Sequence, residues 1–136
     1  MPSGFVDRAK GKTAINTQYM SQGAQFYSNA QDNITATSGG TQANSFVLLQ
    51  QQNRLTTVGG AGDGVRLPRA IPGAAIAVVN DAATNAANVF PAGAAQGGVT
   101  GGDRINALAQ NAAFSLTVAL GVTIFYCFSA GTWRTK

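Results

Sequence analysis

The chain has 136 residues, 45% of them hydrophobic, and only 10% charged, against the ~25% usual for a soluble domain. Glutamate and histidine are absent and cysteine occurs once. Those numbers bound a single domain with a modest core. They exclude an internal disulfide, a Cys/His zinc site and a histidine-based catalytic triad.

The net charge of +4 sits at the two ends. Arg8, Lys10 and Lys12 outweigh Asp7, and Arg134 and Lys136 close the chain. Between them Arg54, Arg66, Arg69 and Arg104 balance Asp32, Asp63, Asp81 and Asp103. Nucleic-acid binders cluster basic residues on one face with interleaved aromatics; this pattern does not, so direct nucleic-acid binding is not expected. A surface this poor in charge favours association and is expected to be covered by partners.

Residues 1–45 are rich in Gln, Asn, Ser, Thr and Gly, with isolated Phe5, Ile15, Tyr19, Phe26 and Tyr27. So few large apolar groups cannot order a segment by their own burial. The expectation is an extended N-terminal arm ordered by a partner. Phe5, Tyr19, Phe26 and Tyr27 would be its anchors and Arg8, Lys10 and Lys12 its charges. The competing reading is that this arm packs back on its own β body; within it a short helix over 14–30 is considered, interrupted by Gly23. No basic segment followed by an apolar stretch marks a signal peptide. The apolar runs fall far short of the ~20 residues that span a bilayer, so synthesis in the cytoplasm is expected.

From residue 46 the pattern predicts a compact β domain to residue 136. The run 46–49 is apolar and 53–58 is rich in β-branched residues. Glycine and aspartate over 59–64 predict a hairpin or loop, in which Asp63 bonds its own backbone. Val65 and Leu67 alternate with Arg66 and Pro68, and the prolines at 68 and 72 place this stretch at an edge or bend. A strand over 74–80 puts Ile76 and Val78 on one side, and 88–90 is a brief strand stopped by Pro91. Residues 92–102 read as a loop, and 104–108 as a short strand or one helical turn.

Phe114, Leu116 and Val118 alternate with Ser115, Thr117 and Ala119, predicting a half-buried strand. The run 122–129 is apolar on both sides: Ile124, Tyr126 and Phe128 on one, Phe125 and Cys127 on the other. Such a strand lies central in a sandwich or is covered by a neighbouring subunit. Ile124, Phe125, Tyr126 and Trp133 are therefore the candidate subunit-contact or core residues. Cys127 reads as a small hydrophobe. Short strands with turns every 8–12 residues predict a mainly β, antiparallel sandwich, jelly-roll-like or barrel-like domain. No internal repeat of 20–50 residues is evident, which argues against a solenoid.

No motif for chemistry survives inspection. Gly11-Lys12-Thr13 resembles the end of a phosphate-binding loop, but Val6 stands where the first glycine belongs. One Gly-Asp turn at 59–64 cannot build a repeated calcium cage, and Asn33-Ile34-Thr35 matches a glycosylation acceptor without a secretion signal. Each aspartate sits in a turn or beside a basic residue. No enzymatic activity, cofactor or metal is expected. Trp133 reads as a cap of the core or a subunit contact before a sugar platform.

The segments LPRAIPGAAIAVVN (67–80), NVFPA (88–92), DRIN (103–106) and IFYCFSAGTW (124–133) carry a likeness. In that order they resemble a β module of tailed-bacteriophage virion structural proteins, including small capsid decoration (cement) proteins. There a terminal Gly-x-Trp follows an apolar strand, matched by Gly131-Thr132-Trp133. The resemblance covers roughly the second half of the chain. It implies a homotrimer on the outer capsid surface of the virion, bridging copies of the major capsid protein and stabilising the mature head against internal pressure. The alternative it implies is a tail-fibre or spike module that reads host surface glycans through Trp133, Tyr126 or Asn80. Against that alternative, no repetitive shaft is visible in the sequence.

Overall fold

The computed structural model describes residues 29–118 and 121–136. They form β1 (Ala30–Thr35), β2 (Phe46–Val47), β3 (Gln52–Thr57), β4 (Gly64–Arg66), β5 (Ala75–Asn80), β6 (Ala87–Phe90), β7 (Arg104–Ile105), β8 (Phe114–Leu116), β9 (Thr123–Ser129) and β10 (Thr132–Thr135), with one 3-10 turn at Ala94–Gln96. The mainly β character expected from the sequence holds. The boundary expected at residue 45 does not follow the architecture, because β1 and β2 and the loop between them are integral to the β body. The rest of the expected arm, with Phe5, Arg8, Lys10, Lys12, Tyr19, Phe26 and Tyr27, lies outside the described residues, as does nearly all of the helix considered over 14–30.

From β1 to β9 successive strands alternate between two sheets, and β10 stays in the sheet of β9. One has six strands in the order β1-β3-β5-β9-β10-β7, and the other four in the order β2-β4-β6-β8. Pairing is parallel for β1–β3, β3–β5, β2–β4 and β4–β6. The chain therefore winds through three coils, each placing one strand on each sheet. Antiparallel strands continue the sheets at the far end: β8 against β6, β9 against β5 and β10 against β9, with β7 parallel to β10 at the margin. This two-sheet solenoid replaces the expected antiparallel sandwich, jelly roll or barrel, and it overturns the argument against a solenoid. The 59–64 segment is likewise no hairpin: it carries the chain from β3 across to β4. Parallel neighbours need a crossover between them, and here each crossover is the strand laid on the opposite sheet.

The coil repeat escapes inspection because only register positions repeat. Ile34 pairs with Leu55, and Leu55 with Asn80, spacings of 21 and 25 residues. On the other sheet Phe46 pairs with Val65, and Val65 with Val89, spacings of 19 and 24. Neither spacing is constant and the side chains differ in type, so no string recurs.

Alternation along each strand then builds the core between the sheets. Ile34, Leu55, Ile76, Val78, Phe125, Cys127 and Trp133 point inward from the six-stranded sheet, and Val65, Val89 and Leu116 from the other. Phe114 meets Phe125 edge to face at 5.5 Å, the geometry that aromatic quadrupoles favour. The inward placement of Ile76, Val78, Val65 and Leu67 is as the sequence pattern predicts. Burial pushes the Cys127 thiol above its ordinary value, against hydrogen bonds to the backbone of Ser129 and Thr132 that lower it. Cys127 thus stays protonated and inert at neutral pH.

Three buried polar side chains tie the coils and loops together. Asp63 accepts from Gly60 N (2.8 Å) within its own turn and from Gly39 N (3.0 Å) in the preceding coil. Asn80 donates to Asn85 O and Leu116 O and accepts from Ala82 N. Asp103, fully buried, accepts from Ala70 N at 2.7 Å and Val99 N at 2.9 Å, fastening two long loops. The β9–β10 turn needs Gly131: its φ is +82°, and a Cβ there would meet Val99 Cγ2 at 2.7 Å.

The two faces of β9 should respond differently to truncation. Phe125→Ala removes a fully buried ring and should cost about 3–5 kcal/mol in chemical denaturation. Phe128→Ala, on the open face, should stay within about 0.5 kcal/mol of the parent. Asp103→Ala should cost about 1–3 kcal/mol for each backbone N–H it leaves unpaired. Equal effects at 125 and 128 would refute the orientation of β9.

Candidate docking surface

The six-stranded sheet turns one face to the core and the other outward, and the outward face is unusually apolar. Register fixes its rows. Ala30, Gln52, Ala77 and Ile124 align across β1, β3, β5 and β9. Ala75, Tyr126 and Arg134 align across β5, β9 and β10. Val79 stands beside Arg54, and Phe128 continues the line of Ile124 and Tyr126. The Tyr126 and Phe128 rings lie 6.1 Å apart. Phe128 is 76% exposed and Val122, just before β9, is 55% exposed.

Small side chains make the centre of this face concave. A groove of about 510 Å³ runs over Ala30 and Ala77, bordered by Val79 and Val122 and by Gln31, Asp32, Gln52 and Arg54. Its polar wall is an acid–base–acid chain across three strands. Arg54 NH1 donates to Asp32 Oδ1 at 2.9 Å and Arg54 Nε to Asp81 Oδ2 at 2.7 Å. At the other margin Arg104 and Arg134 border a shallow hollow of about 420 Å³ with Asn106 and Gln110. Neither arginine has an acidic partner among the described residues.

The candidate residues named from the sequence separate cleanly. Ile124 and Tyr126 lie on the outward face, while Phe125 and Trp133 are fully buried core. Trp133 therefore presents no ring to a sugar, and its indole N–H, without a partner among the described residues, is sealed inside. Asn80 is equally unavailable, 1% exposed with its amide engaged. Of the glycan contacts considered, only Tyr126 reaches the surface. The aspartates are committed to structure: Asp63 and Asp103 to backbone N–H groups, Asp32 and Asp81 to Arg54. No three Cys or Asp side chains converge among the described residues.

What the sequence reading missed is the continuity of this face. Ala75, Ala77 and Val79 looked like one side of an isolated strand, and only the register shows them joining Ile124, Tyr126 and Phe128 into one surface. Contiguous exposed apolar surface rimmed by charge is the kind at which proteins dock, which makes this face the candidate site. Comparison of the chain with protein-family models, with curated proteins and with solved structures finds no match.

The acid–base chain gives this margin a pH dependence. A hydrogen bond from the Asn33 backbone N–H, and then the Arg54 guanidinium, hold the Asp32 carboxyl below its ordinary value. Asp81 and then Asp32 raise Arg54, which stays charged throughout. A carboxyl lowered on folding stabilises the fold above its unfolded value, and the effect is lost as pH falls through the folded one. Acid titration below about pH 4 should therefore loosen β1 from β3, and Arg54→Met should abolish part of that loss. Identical acid unfolding curves for the two proteins would count against the coupling.

Proposed function

We propose that this protein is a virion structural component of capsid-decoration type. In this reading it docks on the outer surface of the major capsid protein shell, and copies associate as a homotrimer through the outward face of the six-stranded sheet. The observation that carries the proposal is that face: an uninterrupted apolar band over β5 and β9 on a chain with 10% charged residues. Burying such a band yields roughly 25 cal/mol per Å² of apolar area, while the sparse charge offers little to keep copies apart. The phage-module likeness of residues 67–133 supplies the kind of assembly.

The mechanism is mechanical and thermodynamic. A protein that binds the mature lattice, and not its precursor, stabilises the mature state by linkage. Each added copy stiffens the shell against the packaged genome. The basic N-terminal end, Arg8, Lys10 and Lys12 with Phe5, supplies the shell contact in this reading.

A second reading, a tail-fibre or spike module, draws support from the coils. The missing shaft was the argument against it, and parallel stacked coils are themselves a repeat that extends along one axis. Host glycan recognition gains little, since Trp133 and Asn80 are buried.

Purified virions separate the two. Decoration predicts a stained-gel band comparable in copy number to the major capsid protein, and capsids that lose heat resistance when the protein is deleted. A fibre predicts far fewer copies and a loss of host adsorption with heat resistance intact. Within the decoration reading, Tyr126→Asp and Phe128→Asp should leave a folded chain that sediments as a monomer and no longer binds the shell. A trimer unchanged by both substitutions would rule out this face as the contact.

A further inference from the structure

The outward face of the six-stranded sheet has two unlike halves. Over β1, β3 and β5 it is hollow, because Ala30 and Ala77 leave the groove of about 510 Å³ bordered by Val79 and Val122. Over β9, the neighbour of β5, it is raised. There the Tyr126 and Phe128 rings stand with centroids 6.1 Å apart, and Phe128 is largely exposed. A socket and a ridge therefore lie side by side on one face.

Charge divides along the same line. Beside the groove two carboxylates, Asp32 and Asp81, share one guanidinium, that of Arg54, for a net charge of −1. Arg54 engages Oδ1 of Asp32 and Oδ2 of Asp81, and the second oxygen of each carboxylate has no partner among the described residues. On the far side of the ridge Arg134 stands in register with Tyr126, and Arg104 lies on β7 beyond it. Neither arginine has an acidic partner among the described residues. The two margins do not satisfy each other within one chain. Asp32 and Arg104 lie on the two edge strands, β1 and β7, five inter-strand steps apart. At about 4.8 Å per step that is roughly 24 Å, against a Debye length of ~8 Å.

A ring of three copies needs a head-to-tail interface, in which one patch of each copy meets a different patch of the next. The two halves of this face match in both shape and sign. We propose that the groove over Ala30 and Ala77 is the socket for the Tyr126–Phe128 ridge of a second copy of this chain, with that copy's Arg104 and Arg134 set against Asp32 and Asp81. Each copy in the ring then receives one ridge and gives one. The inference rests on the proposed self-association through this face and adds its register; it does not depend on the capsid partner. Burial of the two rings supplies affinity. The charged margins disfavour the wrong pairings, since ridge on ridge sets arginines against arginines and groove on groove sets carboxylates against carboxylates.

Sedimentation equilibrium of the full-length chain at low and high salt tests it. Ala77→Leu is the decisive variant, because it adds apolar area to the face while filling the socket. The socket predicts a trimer weakened at least about tenfold, as overpacking a fitted contact does. A contact made by apolar area alone would be tightened instead. Arg104→Asp/Arg134→Asp should weaken the trimer about tenfold at low salt, and the difference should shrink at ~1 M salt. Unchanged far-UV circular dichroism verifies that both variants are folded. A trimer unchanged or tightened by Ala77→Leu overturns the socket but leaves association through this face standing, which Phe128→Asp reports separately. Indifference to the arginine pair at low salt overturns the charge register in the same way, and a closed dimer overturns the head-to-tail arrangement. A parent that stays monomeric at every concentration overturns the inference and the self-association together, and leaves the groove to a partner of another kind.

Discussion

The hydrogen-bond ladder between successive coils is the constraint on which everything else depends. β3 has both its edges occupied, by β1 on one side and β5 on the other, and each of those partners lies about one coil away in sequence. A strand so placed cannot pair with the strand that follows it in the chain. The polypeptide must therefore leave the sheet after each strand and return only after crossing the opposite one. From that single requirement come the alternation of sheets, the parallel pairing, and the two-layer core. The turns make the crossing possible: Asp63 fastens the one after β3 to the coil before it through Gly39, so coils are linked by side chains where strands end.

A solenoid has two ends, and this one treats them differently. At the far end the chain reverses direction: β9 runs antiparallel to β5, and β10 to β9. Reversal puts the largest inward side chains, Phe125 and Trp133, where the core would otherwise thin out, and both are fully buried. Asp103 fastens the loops that make the reversal possible, taking two backbone N–H groups that would be unpaired inside. At the near end β1 and β2 are the outermost described strands; Phe46 is exposed in a row whose other members, Val65 and Val89, are buried, while Ile34 and Leu48 of the same coil are buried too.

Much of this was legible from local pattern, and the part that was not has one cause. Most strand positions after residue 45, the inward faces of β4 and β5, and the two-sided character of β9 follow from period-two alternation; β1, assigned to the arm, was missed. Pairing was not legible. Antiparallel neighbours were inferred from short strands and frequent turns, yet a Gly-rich turn such as 59–64 is equally suited to folding back within a sheet or crossing between sheets. What distinguishes the two outcomes is which distant strand takes the ladder, and that is a property of register. The repeat that would have revealed it is carried by Ile34, Leu55 and Asn80, three different side chains at unequal spacing. Likewise Trp133 and Asn80 had the chemistry of a sugar site, and only burial removes them from it.

The outward face of the six-stranded sheet follows from the same ladder. Strands covered on both faces are usual where parallel sheets lie between layers, and β5 has that composition, with Ala75, Ala77 and Val79 outward as well as Ile76 and Val78 inward. The four-stranded sheet covers only one of its faces. Ile124, Tyr126 and Phe128 extend the uncovered surface across β9, and the charged groups stand at its two margins, Arg54 with its aspartates on one side, Arg104 and Arg134 on the other. A band of this kind costs solubility if it stays bare, and with so few charges elsewhere the molecule has little to offset it. The sequence thus places, on an outer face that the described strands leave uncovered, the side chains best suited to being covered by something else.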